Sequence, residues 1–329
     1  ISTEIGGRTG IAKNIFSAFN FITSNDYLIV AILTALSSSI IYFTCRNFVD
    51  NKNVKYWILL LICPGFLIYT NAPSKELIFF YLATFYIILE SKFLVLKEKN
   101  KFKNLIYLIL KLSIIPFLLY WRSFLAAPYL FLAIFSIFIK VFYLGKFSKK
   151  LNLRNTLIFT FFISAMTFFL LSQFNISLFN SRTFEWNINF LIKSLETKTS
   201  LFRSFIDYEF IINPINSFYV QFLALFPTLD ELINKRYQIL IVIDSLILIY
   251  VFFCSWKNLF KTIKNDYRAR KIVFIIFTII SFSYFTLYGN LGSLNIGSSQ
   301  RFRINFIPIS IIFPLVLENN IKKSRIKLK

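Results

Sequence analysis

The residues of this chain that could do chemistry are a few cations and carboxylates placed between long apolar runs. The segment 71–76 brings Lys75 and Glu76 between two such runs. Pro73 cannot continue the preceding helix, whereas Ser74 is a suitable N-cap and Glu76 a suitable acid for the first turn of the next helix. The sequence therefore predicts a turn that begins a helix and carries charge at its mouth.

Arginines stand in comparable positions further along the chain. Arg122 lies in the short connection 120–123, and Arg301 and Arg303 follow a Gly/Ser-rich stretch at 289–299. The planar fork of arginine matches phosphate oxygens, and small residues let backbone approach a ligand. Taken singly, each cation is explained as an anchor at lipid-headgroup level. Together they indicate a site for an anion that carries phosphate.

Composition excludes several kinds of chemistry. The chain of 329 residues contains no histidine, which excludes His-based acid–base catalysis, His metal ligands and Ser-His or Cys-His nucleophiles. Cys45, Cys63 and Cys254 show no C-x-x-C spacing and are interpreted as core residues. The sequence has no phosphate-binding glycine loop and no Asp-x-Asp motif, so we expect neither a nucleotide nor a metal as cofactor.

The elements that must position these residues are membrane spans. Hydrophobic residues make up 57% of the chain and the mean hydropathy is +0.64, which is too apolar for a soluble globule of this size. We predict an all-α integral membrane protein, with 1–329 as one polytopic domain. A tenth span is expected ahead of Ile1, because the chain does not begin with Met. The nine predicted spans are 27–44, 56–70, 77–96, 104–120, 124–143, 155–172, 237–256, 272–288 and 304–317.

Orientation follows from the positive-inside rule. With alternate loops assigned to the cytoplasm, 23 Lys and Arg lie inside and 12 outside, while Lys111 and Lys140 fall within spans. The C-terminus is then cytoplasmic, and the connections 71–76, 120–123 and 289–303 lie outside. A net charge of +22 thus reflects topology, and no nucleic-acid partner is expected.

One outer connection, 173–236, is far longer than the others. Loops beyond about 15 residues tend to be functional or disordered, and this one is too rich in Phe, Ile and Leu to be disordered. We predict a large outer loop inserted between spans. It contributes Arg182 to the candidate cations and Glu185 and Asp207 to the outer carboxylates.

Two charges are predicted at membrane depth, where an ionisable group usually faces a partner or a wet cavity. Lys111 and Asp244 each lie about 10 Å from a membrane face, but from opposite faces. A direct ion pair between them needs a tilt or a shift, so the sequence leaves that pair open. Lys140 is close enough to the inner surface to extend its amine into the headgroups.

With the elements placed, the chain resembles the multi-spanning polymerases of bacterial O-antigen and capsular polysaccharide, the Wzy-type family. The resemblance covers most of the chain in layout, including the single large outer loop and a proline-containing last span. The short motifs that carry it are Gly6-Gly7-Arg8, Pro73-Ser74-Lys75-Glu76, Tyr120-Trp121-Arg122 and Gln300-Arg301-Phe302-Arg303.

The resemblance implies an inner-membrane glycosyltransferase that joins repeat units carried on undecaprenyl pyrophosphate at the periplasmic face. Arg122, Arg301 and Arg303 would hold the pyrophosphate, and Glu76 would deprotonate the acceptor hydroxyl. Glu76 and Arg122 are thus the candidate catalytic residues. The expected partners are the lipid-linked glycan, the bilayer and a chain-length regulator. The remaining candidate binding residues are Arg8, Lys75 and Arg182.

Two other functions stay open. A glycosyltransferase of the GT-C class, which uses a polyprenyl-phosphate sugar, typically carries an acidic pair in its first outer loop, where this chain has Glu4 alone before Asp26. A flippase or transporter of lipid-linked glycans predicts charges lining the spans through their depth and an internal repeat. The absence of histidine, which the related O-antigen ligases use, favours polymerase over ligase.

Overall fold

The structure is a computed structural model of the chain. It describes residues 48–66, 75–95, 101–140, 239–283 and 303–326, with isolated positions between 28 and 44 and at 226, 232 and 233. The helices are α1 (Val54–Leu61), α2 (Lys75–Val95), α3 (Lys101–Phe138), α4 (Ile239–Thr262), α5 (Tyr267–Ser283) and α6 (Phe313–Ile326), with a 3-10 turn at Asn51–Asn53 and a π-helical segment at Pro308–Ile312.

Two compact units divide the chain. Unit 1 takes Ile1–Ile88, Phe226–Asn265 and Gln300–Lys329, and in it α4 packs against α1, the π segment and α6. Unit 2 takes Leu89–Leu225 and Asp266–Ser299, and in it α5 packs against α3.

Four of the described helical runs are long and apolar enough to cross a bilayer. They are 20 to 24 residues long, and a span needs about 20. Their mean hydropathy lies between 1.5 and 2.4. The prediction of an all-α fold is therefore confirmed for the described residues, whereas the count of nine spans and the loop 173–236 stay predictions. The four runs are Glu76–Val95, Phe102–Trp121, Ile239–Thr262 and Arg303–Ser324.

The helix predicted after the turn at 71–76 begins where the sequence placed it. α2 starts at Lys75, carries Glu76 in its first turn and ends with Lys92 in its last turn. An acid near the N-terminus and a cation near the C-terminus both complement the helix dipole. With no Gly or Pro inside, the 21-residue helix continues without interruption to Val95.

The region around Arg122 differs in part from the prediction of two spans joined by a turn. The backbone is helical throughout α3, 38 residues with Pro116 and Pro128 inside it. A straight helix would hold Lys111 and Ser136 about 37 Å apart, yet their side chains are hydrogen-bonded. Lys140 and Asn104 are bonded as well. The midpoints of both pairs fall at 122–124, so the helical chain bends back on itself at the predicted turn.

The last span contains a π-helical segment where its prolines predict a bend, and it is longer than the predicted 304–317. Its π segment begins at Pro308, and Pro314 follows directly after it. Pro314 has no N–H to donate to the Ser310 carbonyl four residues earlier. The indole Nε1 of Trp256 donates to that carbonyl at 2.8 Å. Nearly nine-tenths of this span is buried, which makes it the central helix of unit 1.

α4 shows how a span divides its surface. Five of its exposed apolar residues recur every three or four positions and form one stripe, which in water would be a large apolar patch. Asp244, Ser245 and Trp256 lie on the opposite, buried face. The helix therefore turns its apolar stripe to lipid and its polar groups into unit 1. The stripe consists of Ile239, Ile243, Leu246, Tyr250 and Phe253.

Candidate functional site

A buried ion pair joins the beginnings of two spans in unit 1. Arg303 Nη1 lies 3.1 Å from Asp244 Oδ2, and the two side chains are 4% and 2% exposed. Asp244 is about 8 Å beyond the first described residue of α4, and Arg303 is the first described residue of the last span. An arginine buried at this depth needs a counter-ion, and Asp244 supplies it.

The helix is interrupted at residues 62–63, and the segment that follows the interruption contacts the same carboxylate. α1 ends at Leu61, Pro64 opens another helical turn, and the Gly65 backbone N–H donates to Asp244 Oδ1 at 3.2 Å. A Cβ on Gly65 would lie 2.8 Å from Asp244 Oδ2. Glycine is therefore required here by close approach. Both oxygens of Asp244 are thus held, one by backbone and one by Arg303.

A second polar layer lies at the other end of unit 1. Glu318 accepts hydrogen bonds from Asn53 Nδ2 at 2.7 Å and Thr262 Oγ1 at 3.1 Å. Lys322 bridges Glu318 and Asp50, at 2.6 and 2.7 Å. The hydrogen bond from Lys322 holds the pKa of Asp50 below its ordinary value of 3.8. The layer joins three segments that the charge count assigns to one side of the membrane.

The distance between the two layers has the scale of a bilayer. Asp244 and Thr262 are about 27 Å apart along α4, and Arg303 and Glu318 about 22 Å apart along the last span. The hydrocarbon core of a membrane is about 30 Å thick. The two polar layers are therefore separated by nearly the thickness of the hydrocarbon core of a bilayer.

Unit 2 contains a separate buried ion pair. It answers whether Lys111 is paired with Asp244, which the sequence left open. Lys111 Nζ lies 2.9 Å from Glu90 Oε2, with both side chains fully buried, and also donates to Ser136 Oγ. The Phe93 ring centroid is 3.9 Å from the amine. Lys111 is paired with Glu90, and Asp244 with Arg303, so each charge is satisfied within its own unit.

Lys140 is predicted to extend its amine into the headgroups, but in the structure the amine contacts residues of unit 2. It is only half-buried, but its amine donates to Asn104 Oδ1 and lies 4.5 Å from the Phe93 ring centroid. Because Asn104 is on the other limb of the bent α3, this contact fastens the two limbs together.

The predicted site residues are only partly described. Arg303 is buried in the ion pair, and Glu76 is buried in the first turn of α2 with 3% of its surface exposed. Lys75 begins α2 and Arg122 lies at the bend of α3, with backbones alone described. Arg8, Arg182 and Arg301 lie outside the residues that the structure describes.

Sequence reasoning missed Gly65 and Glu90. Glu90 falls within the predicted span 77–96, about one helical turn before the end of α2, and so can reach a charge on a neighbouring helix. Cys63-Pro64-Gly65 is a signal that was available, because a Pro-Gly pair inside an apolar run indicates a broken span. Cys63 is buried as predicted, and it lies beside Asp244.

The class that the described residues define is an all-α membrane protein with buried, paired charges inside its spans. Among those residues, no cluster of three His, Cys, Asp or Glu could hold a metal ion. Comparisons of the chain with protein-family models, curated proteins and solved structures find no match.

Proposed function

We propose that this protein is a glycan polymerase of the bacterial inner membrane, with its C-terminus in the cytoplasm. It joins oligosaccharide repeat units carried on undecaprenyl pyrophosphate at the periplasmic face, in O-antigen or capsule synthesis. The observation that carries the proposal is the buried guanidinium of Arg303, four residues after the end of a Gly/Ser-rich stretch.

The position of Arg303 suits an anionic lipid headgroup. It is at the end of unit 1 that the charge count assigns to the outside, about 22 Å from the opposite polar layer. A guanidinium near a dry interface attracts a pyrophosphate more strongly than one in bulk water. A soluble nucleotide donor is not needed, because the lipid pyrophosphate is itself the leaving group.

The reaction assigns a role to each candidate group. Glu76 takes the proton from the acceptor hydroxyl, whose oxygen bonds to the anomeric carbon of the donor as the bond from that carbon to pyrophosphate breaks. Arg122, Arg301 and Arg303 stabilise the charge that develops on the departing pyrophosphate. Arg8, Lys75 and Arg182 contribute further cations for the donor and acceptor lipids.

The described charges give the transport alternative little support. A transporter would be expected to line a path through the membrane with charged groups. Lys111 and Glu90 are instead fully buried against each other. Their pairing explains these charges as internal to unit 2.

The test is deletion of the gene in the source bacterium, with the surface polysaccharide then separated by size on a gel. We expect single repeat units in place of long chains. Wild type should restore chain length, whereas Arg303→Gln, Arg122→Ala and Glu76→Gln should fail to do so at equal membrane levels.

The matched control is Lys322→Gln, which removes a cation from the opposite polar layer and should restore chain length. If the deletion removes surface glycan altogether, a flippase replaces the polymerase. If chain length is kept and one sugar is lost, the GT-C alternative replaces it.

A further inference from the structure

Arg303 is already paired with the negative charge of Asp244, and this pairing affects how Arg303 could bind a second anion. Its Nη1 is 3.1 Å from Asp244 Oδ2, and the carboxylate is itself fixed by the Gly65 N–H. An anion approaching Arg303 therefore meets a nearly neutral pair. The field of the guanidinium is largely cancelled until the carboxylate and the guanidinium separate.

We propose that Asp244 is a resident counter-ion that the pyrophosphate group of the substrate displaces from Arg303. Asp244 thereby sets the affinity of the site and keeps Arg303 from holding other anions, such as phospholipid headgroups. The inference rests on the proposed function only for the choice of anion.

The surroundings of the pair allow such an exchange. Asp244 retains the Gly65 N–H when Arg303 leaves, so its carboxylate is not stripped of every hydrogen bond. Arg303 begins its span, and five residues later the helix loosens into the π segment. A π segment is a common place for a helix to adjust at a functional site. The two charges can therefore separate without unfolding α4.

The Glu90–Lys111 pair of unit 2 has a different setting. It lies about 8 Å before the end of α2, and Lys111 is enclosed by Ser136 and the Phe93 ring. Both pairs join a carboxylate to a cation at membrane depth, with similar distances of 3.1 and 2.9 Å. The unit 2 pair is therefore a matched control for the effect of removing a buried carboxylate.

The experiment measures binding of an isoprenyl pyrophosphate to the full chain in nanodiscs of neutral lipid, and of inorganic pyrophosphate in parallel. Asp244→Asn keeps the shape of the side chain and an oxygen for the Gly65 N–H, but removes the competing charge. We expect it to bind the isoprenyl pyrophosphate about tenfold more tightly than wild type. Arg303→Gln should abolish the gain, and Glu90→Gln should leave affinity unchanged.

Equal or weaker binding by Asp244→Asn would overturn the proposal, as would an equal gain from Glu90→Gln. If Asp244→Asn does not reach the membrane, Asp244→Ser provides the same loss of charge in a smaller side chain. A parallel gain for inorganic pyrophosphate supports recognition of the anion itself. A gain for the isoprenyl form alone supports the lipid-linked source.

Because no polymerisation is measured, the two proposals fail separately. Tight binding by Asp244→Asn in a protein whose deletion leaves glycan length unchanged supports the counter-ion and rejects the polymerase. Loss of chain length on deletion, with no tightening in the variant, rejects the counter-ion alone.

Discussion

The two units solve the same electrostatic problem in different ways. Each buries one carboxylate–cation pair within its spans. The pair of unit 1 lies beside the interruption at 62–63 and five residues before the π segment, whereas the carboxylate of the unit 2 pair lies within the continuous helix α2. The unit 2 pair joins α2 to the bent α3. The unit 1 pair joins three segments distant in sequence. The comparison predicts that the charges of the unit 1 pair can separate, whereas the pair of unit 2 is structural.

Replacing both charges of a pair should give the largest difference in activity between variants of the two units. Replacing a buried pair by apolar residues is often neutral for stability. We therefore expect Lys111→Met/Glu90→Leu and Arg303→Met/Asp244→Leu to reach the membrane at wild-type levels. The unit 2 double variant should keep chain-lengthening activity, whereas the unit 1 double variant should lose about a hundredfold. Polymer length per unit of membrane protein, measured on a gel, gives the comparison.

Equal activity in the two double variants would contradict a functional role for the unit 1 pair and indicate that both pairs are structural. Loss of activity in the unit 2 variant would instead extend the functional region to Lys111.

Removal of one charge should show how much unit 2 depends on its pair. Lys111→Met leaves Glu90 buried without its cation, which should lower the free energy of unfolding by about 3–5 kcal/mol. Denaturant unfolding in detergent measures this change. Lys140→Met, which removes a half-buried cation a short distance away, should cost less than half as much. A cost for Lys111→Met no larger than that for Lys140→Met would contradict a structural role for the Glu90–Lys111 pair.

Gly65→Ala tests the tightness of the junction in unit 1. The added Cβ would lie 2.8 Å from Asp244 Oδ2, so the carboxylate must shift. We expect a loss of about 1–3 kcal/mol in the free energy of unfolding. In an Asp244→Ala background the same change should cost little, because the clashing atoms are gone. A thermal unfolding cycle of the four proteins measures the coupling, and additive effects would contradict the close approach.

The smallest effect concerns the Asp50–Lys322 contact at the opposite end of unit 1. Because the folded-state pKa of Asp50 lies below 3.8, its stabilising contribution is complete above that pH and is lost as pH falls through the folded pKa. Both groups are partly exposed, so Asp50→Asn should cost less than about 1 kcal/mol at pH 7. The difference from wild type in unfolding midpoint should shrink as pH falls below 3.8. A difference that persists at low pH would assign it to packing.

Much of the fold could be read from the chain because its signals are local. Pro73, Ser74 and Glu76 mark the start of α2, and Pro308 and Pro314 mark the π-helical segment in the last span. Each acts through its own backbone or the first turn of its own helix. The bend near Arg122 was also predictable, although the continuous helical backbone was not. No Gly or Pro lies between Pro116 and Pro128 to end the helix.

The sequence by itself determined the class of protein and the set of charges that need partners. Hydropathy and charge asymmetry are sums over many residues and do not depend on packing. Only the tertiary structure decided which charges meet. Lys111 pairs with Glu90, and Asp244 pairs with Arg303. Which charges pair depends on helix rotation and on close approaches such as that of Gly65 to Asp244. Contacts between residues so far apart in the chain produce no periodic pattern in a single sequence.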